Sequence, residues 1–275
     1  MKKFVIFFIL LFFDSIISHA DFKKIKKKAI VNNPEIIFPI PKNLEKCITK
    51  MYIDPEMNLI KPILKIEAPV GYGLDDRFDN ALDKFSNFSH PCGGGNREAC
   101  ENVKRIILEW AKADAAKRTG PSDHEGRHWN DTLTVNLYIA SPMLAAYSFA
   151  KQAIDVPSEE DQIIKKWLKK IVKRNEHLMY DQIYKKNTQA IGVPKRAHNH
   201  ALSSAIAHME LGVLLNDEKL FRKAFKNFEA AIKYQRKDGS LPIEVRRGGR
   251  AMFYQGRAMN ALAVIAIIAE NQGYN

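Results

Sequence analysis

Two polar clusters carry the side-chain types from which a reactive site can be assembled. The first, Lys195-Arg196-Ala197-His198-Asn199-His200, stands just ahead of an apolar stretch with helical periodicity. The second, Glu244-Val245-Arg246-Arg247-Gly248-Gly249-Arg250, precedes another such stretch and is followed by Tyr254. A helix N-terminus presents unpaired backbone N–H groups and the positive end of the helix dipole. Guanidinium, amide and imidazole groups added there make a setting suited to binding a carboxylate. Each cluster also has a plain structural reading. Asn199 can serve as an N-cap, His200 as a hydrogen-bonded histidine at a helix start, and the three arginines as a solvated basic turn.

The elements that must position these clusters are helices. Val103, Ile106, Ile107, Trp110 and Ala111 recur at three- and four-residue steps, the signature of one apolar helix face. Residues 131–153 are apolar nearly all round, as a helix buried between neighbours is. Ser158 is the expected N-cap of the next helix, with Glu159, Glu160 and Asp161 in its first turn and Ile163, Ile164, Trp167, Leu168 and Ile171 inward. Three more helices are expected: about 200–215, one starting near Asp217 that carries Leu220, Phe221, Ala224, Phe225, Phe228 and Ile232, and one over 250–271. Lys237 to Pro242 reads as a turn from its Asp-Gly and Pro content, and the only short strand run is Leu241 to Val245. No βαβ pattern occurs. Long helices with short connections predict antiparallel hairpins. Periodicity alone is met equally by a plain bundle and by hairpins stacked in a ring.

The N-terminal part is different. Lys2 and Lys3, the apolar run Phe4 to Phe13 and the Ser18-His19-Ala20 end predict a secretory leader over residues 1–20. The run is too short to span a bilayer. Residues 21–70 hold a basic cluster, Lys23 to Lys28, and Pro34, Pro39, Pro41, Pro55 and Pro62, which argue against long helices and for an irregular arm. Residues 71–275 then form one domain. The chain has 43 Lys plus Arg against 31 Asp plus Glu, a formal net charge of +12, of which the leader accounts for one. That excess favours anionic partners, and export shifts weight from nucleic acid toward a membrane surface or an acidic polysaccharide. No helix pairs a basic face with exposed aromatics, so no stable membrane association is expected. Cys92 and Cys100 bracket a glycine-rich stretch and can meet across it. One bridge and a free thiol are expected, with the pairing among Cys47, Cys92 and Cys100 left open by sequence. There is no CxxC or Cys/His zinc pattern, and His200 and His208 lie too far apart on one helix to share an ion, so no metal is expected.

Taken together, the clusters resemble a known family. Asp238-Gly-Ser-Leu-Pro-Ile-Glu-Val-Arg-Arg-Gly-Gly-Arg-Ala-Met-Phe-Tyr254 is similar to the alginate (mannuronate) lyase signature, an Asp-Gly-x-Leu-Pro-x-Glu turn followed by Arg-Gly-x-Arg-Ala-x-x-Tyr. Asn199-His200 resembles the family's Asn-His pair, Trp110-Ala-Lys-Ala-Asp-Ala115 its Trp-Ala-x-Ala-Asp-Ala helix, and Arg127-His128-Trp129 the start of the helix after it. The resemblance runs in consistent order from about residue 75 to 270. It implies an all-α fold, an incomplete α/α toroid of antiparallel helical hairpins. It also implies a polysaccharide lyase that cuts a uronate polymer by β-elimination. No cofactor is expected, and a monomer is the expected state, although sequence does not fix it. Carried over by position, Asn199, His200, Arg247 and Tyr254 are catalytic. Arg250, Trp129 and Trp110 are candidates for substrate binding, with core packing the competing role for Trp110. The family's aromatic pair after Asn-His is missing here, where Ala201, Leu202 and Ser203 stand, and Gly71 to Arg77 lacks the family's cleft lysine.

β-Elimination suits these residues. Removing the C5 proton of a uronate drives charge onto its carboxylate, which Arg247, Asn199 and His200 would neutralise. Tyr254 or His200 is the candidate base. Two alternatives remain from sequence: a non-catalytic protein that binds acidic polysaccharide, and a lyase for another polyuronate such as glucuronan. On the leader, the expected outcome is a mature chain that begins at Asp21 and is periplasmic or secreted. N-terminal sequencing of the natural product checks this, and a product beginning at Met1 contradicts it.

Overall fold

The computed structural model describes residues 31–42, 60–66, 76–118, 139–174 and 192–274. The expected leader, Cys47, and the Arg127-His128-Trp129 motif lie outside the described residues. Helix α1 spans Asp76–Gly93 and α2 spans Arg97–Lys112. Asn96 starts α2, its side chain accepting the Ala99 N–H at 3.0 Å. The apolar stripe expected on this helix is buried, with Val103, Ile106, Ile107 and Trp110 fully enclosed. Cys92 and Cys100 are disulfide-bonded, which ties the end of α1 to the start of α2. Of the glycines between them, Gly93 ends α1 and Gly94 and Gly95 form the turn into α2.

Helix α3 is Ser141–Ala153 and α4 is Ser158–Lys173. Ser158 is not the cap of α4. Pro157 holds that position and its carbonyl accepts the Asp161 N–H at 2.9 Å, so helical geometry begins one residue before the serine side chain can act. The fixed φ of proline, here −55°, suits a helix entry. The acidic first turn is as expected. Lys65–Ile66 and Lys117–Arg118 form a two-residue parallel bridge, β1 with β2.

The centre of the molecule is α5, Asn199–Leu214, all sixteen residues of which are buried. It is packed by α3, by α4, by α6 (Glu218–Tyr234) and by α8 (Ala251–Asn271). Between α6 and α8 lie the single-turn helix α7, Pro242–Val245, and a 3₁₀ turn over Gly248–Arg250. The short strand expected at Leu241 to Val245 is therefore helical, because Pro242 sits where a first turn has no N–H to lose. With its preceding turn, α8 is long and apolar enough to cross a membrane, yet Tyr254, Ala258, Ala261, Leu262, Ile265, Ile268 and Ala269 are core residues here.

A helix enclosed on every side carries polar groups inside it. Burial pushes the Glu210 carboxyl well above its ordinary range. The described part of the N-terminal arm closes the opposite side. The Glu35 N–H donates to the Val213 carbonyl, and Ser148 Oγ accepts the Ile37 N–H while donating to the Glu35 carbonyl. Glu35 also pairs with Lys151 and Lys165, which share Asp161, and Tyr147 donates to that aspartate.

The α5–α6 hairpin is the tightest contact. A Cβ at Gly212 would stand 2.8 Å from the Phe221 backbone nitrogen and 3.0 Å from its Cα. Backbone cannot yield as a side-chain tip can, so Gly212→Ala should cost about 1–3 kcal/mol through forced separation of the helices. Thermal unfolding should show a midpoint lower by roughly 3–10 °C. Gly256→Ala, whose methyl meets nothing within 4 Å, serves as the control. An unchanged midpoint for Gly212→Ala would contradict the close approach.

Candidate active site

The first turn of α5 is built by an uncommon cap. His198, wholly buried, is the N-cap residue, and its Nδ1 accepts the N–H groups of His200 at 3.1 Å and Ala201 at 3.4 Å. The ring is thus fixed with its proton on Nε2. Asn199 is not the cap that one reading of the sequence allowed. It is the first helical residue, and its backbone N–H donates to Glu244 Oε1 at 2.7 Å. The Asn199 side-chain amide is 1% exposed and makes no hydrogen bond among the described residues. Burying an amide in that state costs free energy, which a ligand's acceptor or donor would recover.

The second cluster reaches the same place through a folded turn. The Asp238 carboxylate accepts the Ser240 N–H, and Gln255 Oε1 accepts the Leu241 N–H, which ties the turn to α8. The chain then passes through α7 and reverses at Gly248, whose φ of +57° is a left-handed conformation that favours glycine. This sets Arg247 against the first turns of α8. Its Nε lies 3.3 Å from Glu244 Oε2, and its guanidinium carbon lies 4.0 Å from the centre of the Tyr254 ring. Tyr254 and His200 meet edge to face with ring centroids 6.4 Å apart. His198 and His200 are 5.6 Å apart in the same manner.

Asn199, His200, Arg247 and Tyr254 are therefore brought together, all four largely buried. Arg250 lies exposed at the start of α8, one turn before Tyr254. Trp110 is corrected: it is 0% exposed inside the core and presents no face to a sugar. The apolar stripe on which it lies already favoured that role. Trp129 lies outside the described residues.

Three further residues belong to this neighbourhood. Glu244, completely buried, contacts both halves of the cluster. Phe253 is 60% exposed beside Tyr254, ring centroids 5.3 Å apart, and the Arg257 guanidinium lies 5.6 Å from the Phe253 ring. The Arg257 position, four residues after Phe253, was the only sequence signal for that pair.

Electrostatics shift two of these groups. His200 is pushed down to about 2 by burial first, then by His198, Arg247 and Arg257. It is a neutral imidazole across the working range, able to donate or accept a hydrogen bond but a weak base. Glu244 is pushed up by burial, opposed by the Asn199 N–H, Arg247 and His198. The arrangement can hold a carboxylate against a guanidinium, an amide and a neutral imidazole, with a phenol alongside to move a proton.

Known proteins resemble this chain. A family model described as alginate lyase matches residues 94–275. The chain is 29% identical over 185 residues to an alginate lyase of Pseudomonas syringae pv. tomato, covering 65% of this chain and 44% of that one. It is 28% identical over 182 residues to an alginate lyase of Cobetia marina, with the same two coverages. The chain thus spans less than half the length of these curated relatives. Among solved structures it resembles alginate lyase A1-III from Sphingomonas species A1, with a TM-score of 0.63 at 17% identity, covering 89% of this chain and 73% of that one. A tyrosine-to-phenylalanine variant of the same enzyme complexed with tetrasaccharide gives 0.66 at 17% identity, over 89% and 72%. The likeness establishes the fold as all-α, an incomplete α/α toroid of helical hairpins.

The state of His200 is directly measurable. Because the folded ring resists a proton, stability is lost as pH falls below the free-imidazole value of 6.5 and continues to fall toward the folded value. Ring ¹⁵N shifts should show His200 neutral, with no transition between about pH 8 and about pH 5. A titration midpoint near 6.5 would contradict the burial described here.

Proposed function

The chain belongs to the alginate lyase family, and on that premise we propose that it is a polysaccharide lyase cleaving a uronate polymer, alginate or polymannuronate foremost, by β-elimination. The observation that carries this reading is the meeting of Asn199, His200, Arg247 and Tyr254, from segments far apart in sequence, around a buried amide without a partner among the described residues. In the two A1-III variants that hold a tetrasaccharide, the substituted residues are a histidine and a tyrosine, with the same separation along the chain as His200 and Tyr254. The basic balance of this chain, +12, suits an anionic polymer. With its leader, the protein acts after export, as a monomer.

In this scheme the uronate carboxylate enters the clamp. Arg247 supplies a charge that never titrates, and Asn199 and neutral His200 supply hydrogen bonds. Their dipoles are fixed beforehand and gain strength as charge moves onto the carboxylate. Tyr254, as phenolate, takes the C5 proton. The C5 electrons form the C4=C5 double bond, the C4–O bond breaks, and the leaving oxygen receives the proton from Tyr254. The phenolate is thereby restored and no redox partner is needed. On mannuronate the proton and leaving group share one face, so a single residue serves both. His200 is the weaker candidate for base because an imidazole with a folded value of about 2 has little affinity for a proton. Its neutral state suits it to the clamp. Arg247, against the ring, faces the negative charge that appears when Tyr254 gives up its proton.

Tyr254→Phe separates this reading from a protein that only binds acidic polysaccharide. It keeps the ring packed on His200 and Arg247 and removes the transferring oxygen. Turnover should fall about 10²–10⁴-fold with polymer affinity little changed. Absorbance of the unsaturated 4,5 bond measures it, on polymannuronate, polyguluronate, glucuronan and hyaluronan. Near-full activity in Tyr254→Phe would move the base role to His200. Tight binding by the wild type with no unsaturated product on any polymer would leave only the binding protein.

A further inference from the structure

Glu244 touches both halves of the clamp and faces away from solvent. Its side chain is 0% exposed. One oxygen accepts the Asn199 backbone N–H at 2.7 Å, and the other lies 3.3 Å from Arg247 Nε. The first contact closes an N–H that the start of α5 would otherwise leave orphaned. The second holds the inner nitrogen of the guanidinium, the same group that lies 4.0 Å over the Tyr254 ring. Moving the Glu244 carboxylate therefore moves Asn199, Arg247 and the charge against Tyr254 together.

We infer that Glu244 is a positioning residue that sets the separation between the Asn199 end of α5 and Arg247, so that both reach one substrate carboxylate. The inference rests on the lyase reading above. A buried anion beside the clamp is otherwise hard to justify. It opposes the polymer's own charge and its burial is unfavourable. A neutral residue of the same shape would bind substrate more tightly but leave Arg247 without its anchor. Orientation is worth more to the chemical step than to binding, because an error of about 1 Å at a reacting centre can cost up to about 10²-fold in rate.

The groups that face Glu244 are the charged Arg247 on its own turn and the titratable His198 at the cap of α5. Burial pushes its carboxyl above the ordinary 4.5, and the Asn199 N–H and Arg247 pull it back only in part. Acid that protonates Glu244 thus removes the counter-charge of Arg247 before ordinary surface carboxylates titrate.

The test compares wild type, Glu244→Gln and Glu244→Asp on polymannuronate, well below each variant's unfolding midpoint. Gln keeps an acceptor for the Asn199 N–H and nearly the same volume, but its charge is gone. Asp keeps the charge and is too short to span both partners. For Gln, kcat should fall about 10- to 100-fold with KM unchanged or lower. The acid limb of the wild-type kcat/KM profile should be absent in Gln and present in Asp. A Gln variant with full kcat and only a lowered unfolding midpoint makes Glu244 merely structural and overturns the inference. If Gln does not fold, the wild-type acid limb decides: a midpoint above 4.5 supports the role, and one at 4.5 or below overturns it. Wild type that yields no unsaturated product sinks the lyase reading itself. Product from wild type with undiminished kcat in both variants sinks this inference alone.

Discussion

Everything in this fold follows from enclosing α5 completely. A helix with sixteen buried residues must be covered on every face, and the covering elements are the hairpins to either side, the last helix and the arm. Enclosure also buries the helix N-terminus, whose backbone N–H groups cannot turn to water. Protein groups must meet them. His198 Nδ1 meets two, and Glu244 meets a third. The same requirement that satisfies the helix start thus assembles imidazoles, an amide and a carboxylate in one interior corner.

Burial then sorts the acids and bases of that corner. Glu210, His200 and Glu244 are each pushed toward the neutral form. Guanidinium does not yield in this way, because arginine keeps its charge at any working pH. Arg247 therefore keeps its charge inside the corner, paired with Glu244, and Arg257 acts on His200 from α8. In a poorly screened setting that charge acts strongly on an incoming carboxylate. The charge there is poorly screened because water is largely kept from it, and water is kept from it because α5 is enclosed.

The other end of the molecule is secured by different means. Glu35, Lys151, Lys165 and Asp161 form an ion-pair network that is partly exposed, with burial opposing and the lysines lowering both acids. Such networks add modestly and are screened by salt. The arm's hydrogen bonds to the Val213 carbonyl and to Ser148 do more, since they close backbone groups in the core.

Sequence alone determined the helical class, the buried faces and the two polar clusters, because periodicity and helix-start composition are local properties. It placed the Val103 to Trp110 stripe and the helix start near Asp217 correctly, while the cysteine pairing it left open is Cys92–Cys100 in the structure. It drew Leu241 to Val245 as a strand and Ser158 as a cap, where neighbouring prolines and a carbonyl one residue earlier prevailed. Family likeness named Asn199, His200, Arg247 and Tyr254, but local pattern could not say that they touch. Only the tertiary structure decided that His198 is the cap, that His200 is neutral and that Trp110 is wholly interior. It alone revealed that Glu244 joins two segments. Those outcomes depend on which groups water cannot reach and which distant charges lie within a few ångströms, and neither is written in the spacing of residues along a chain.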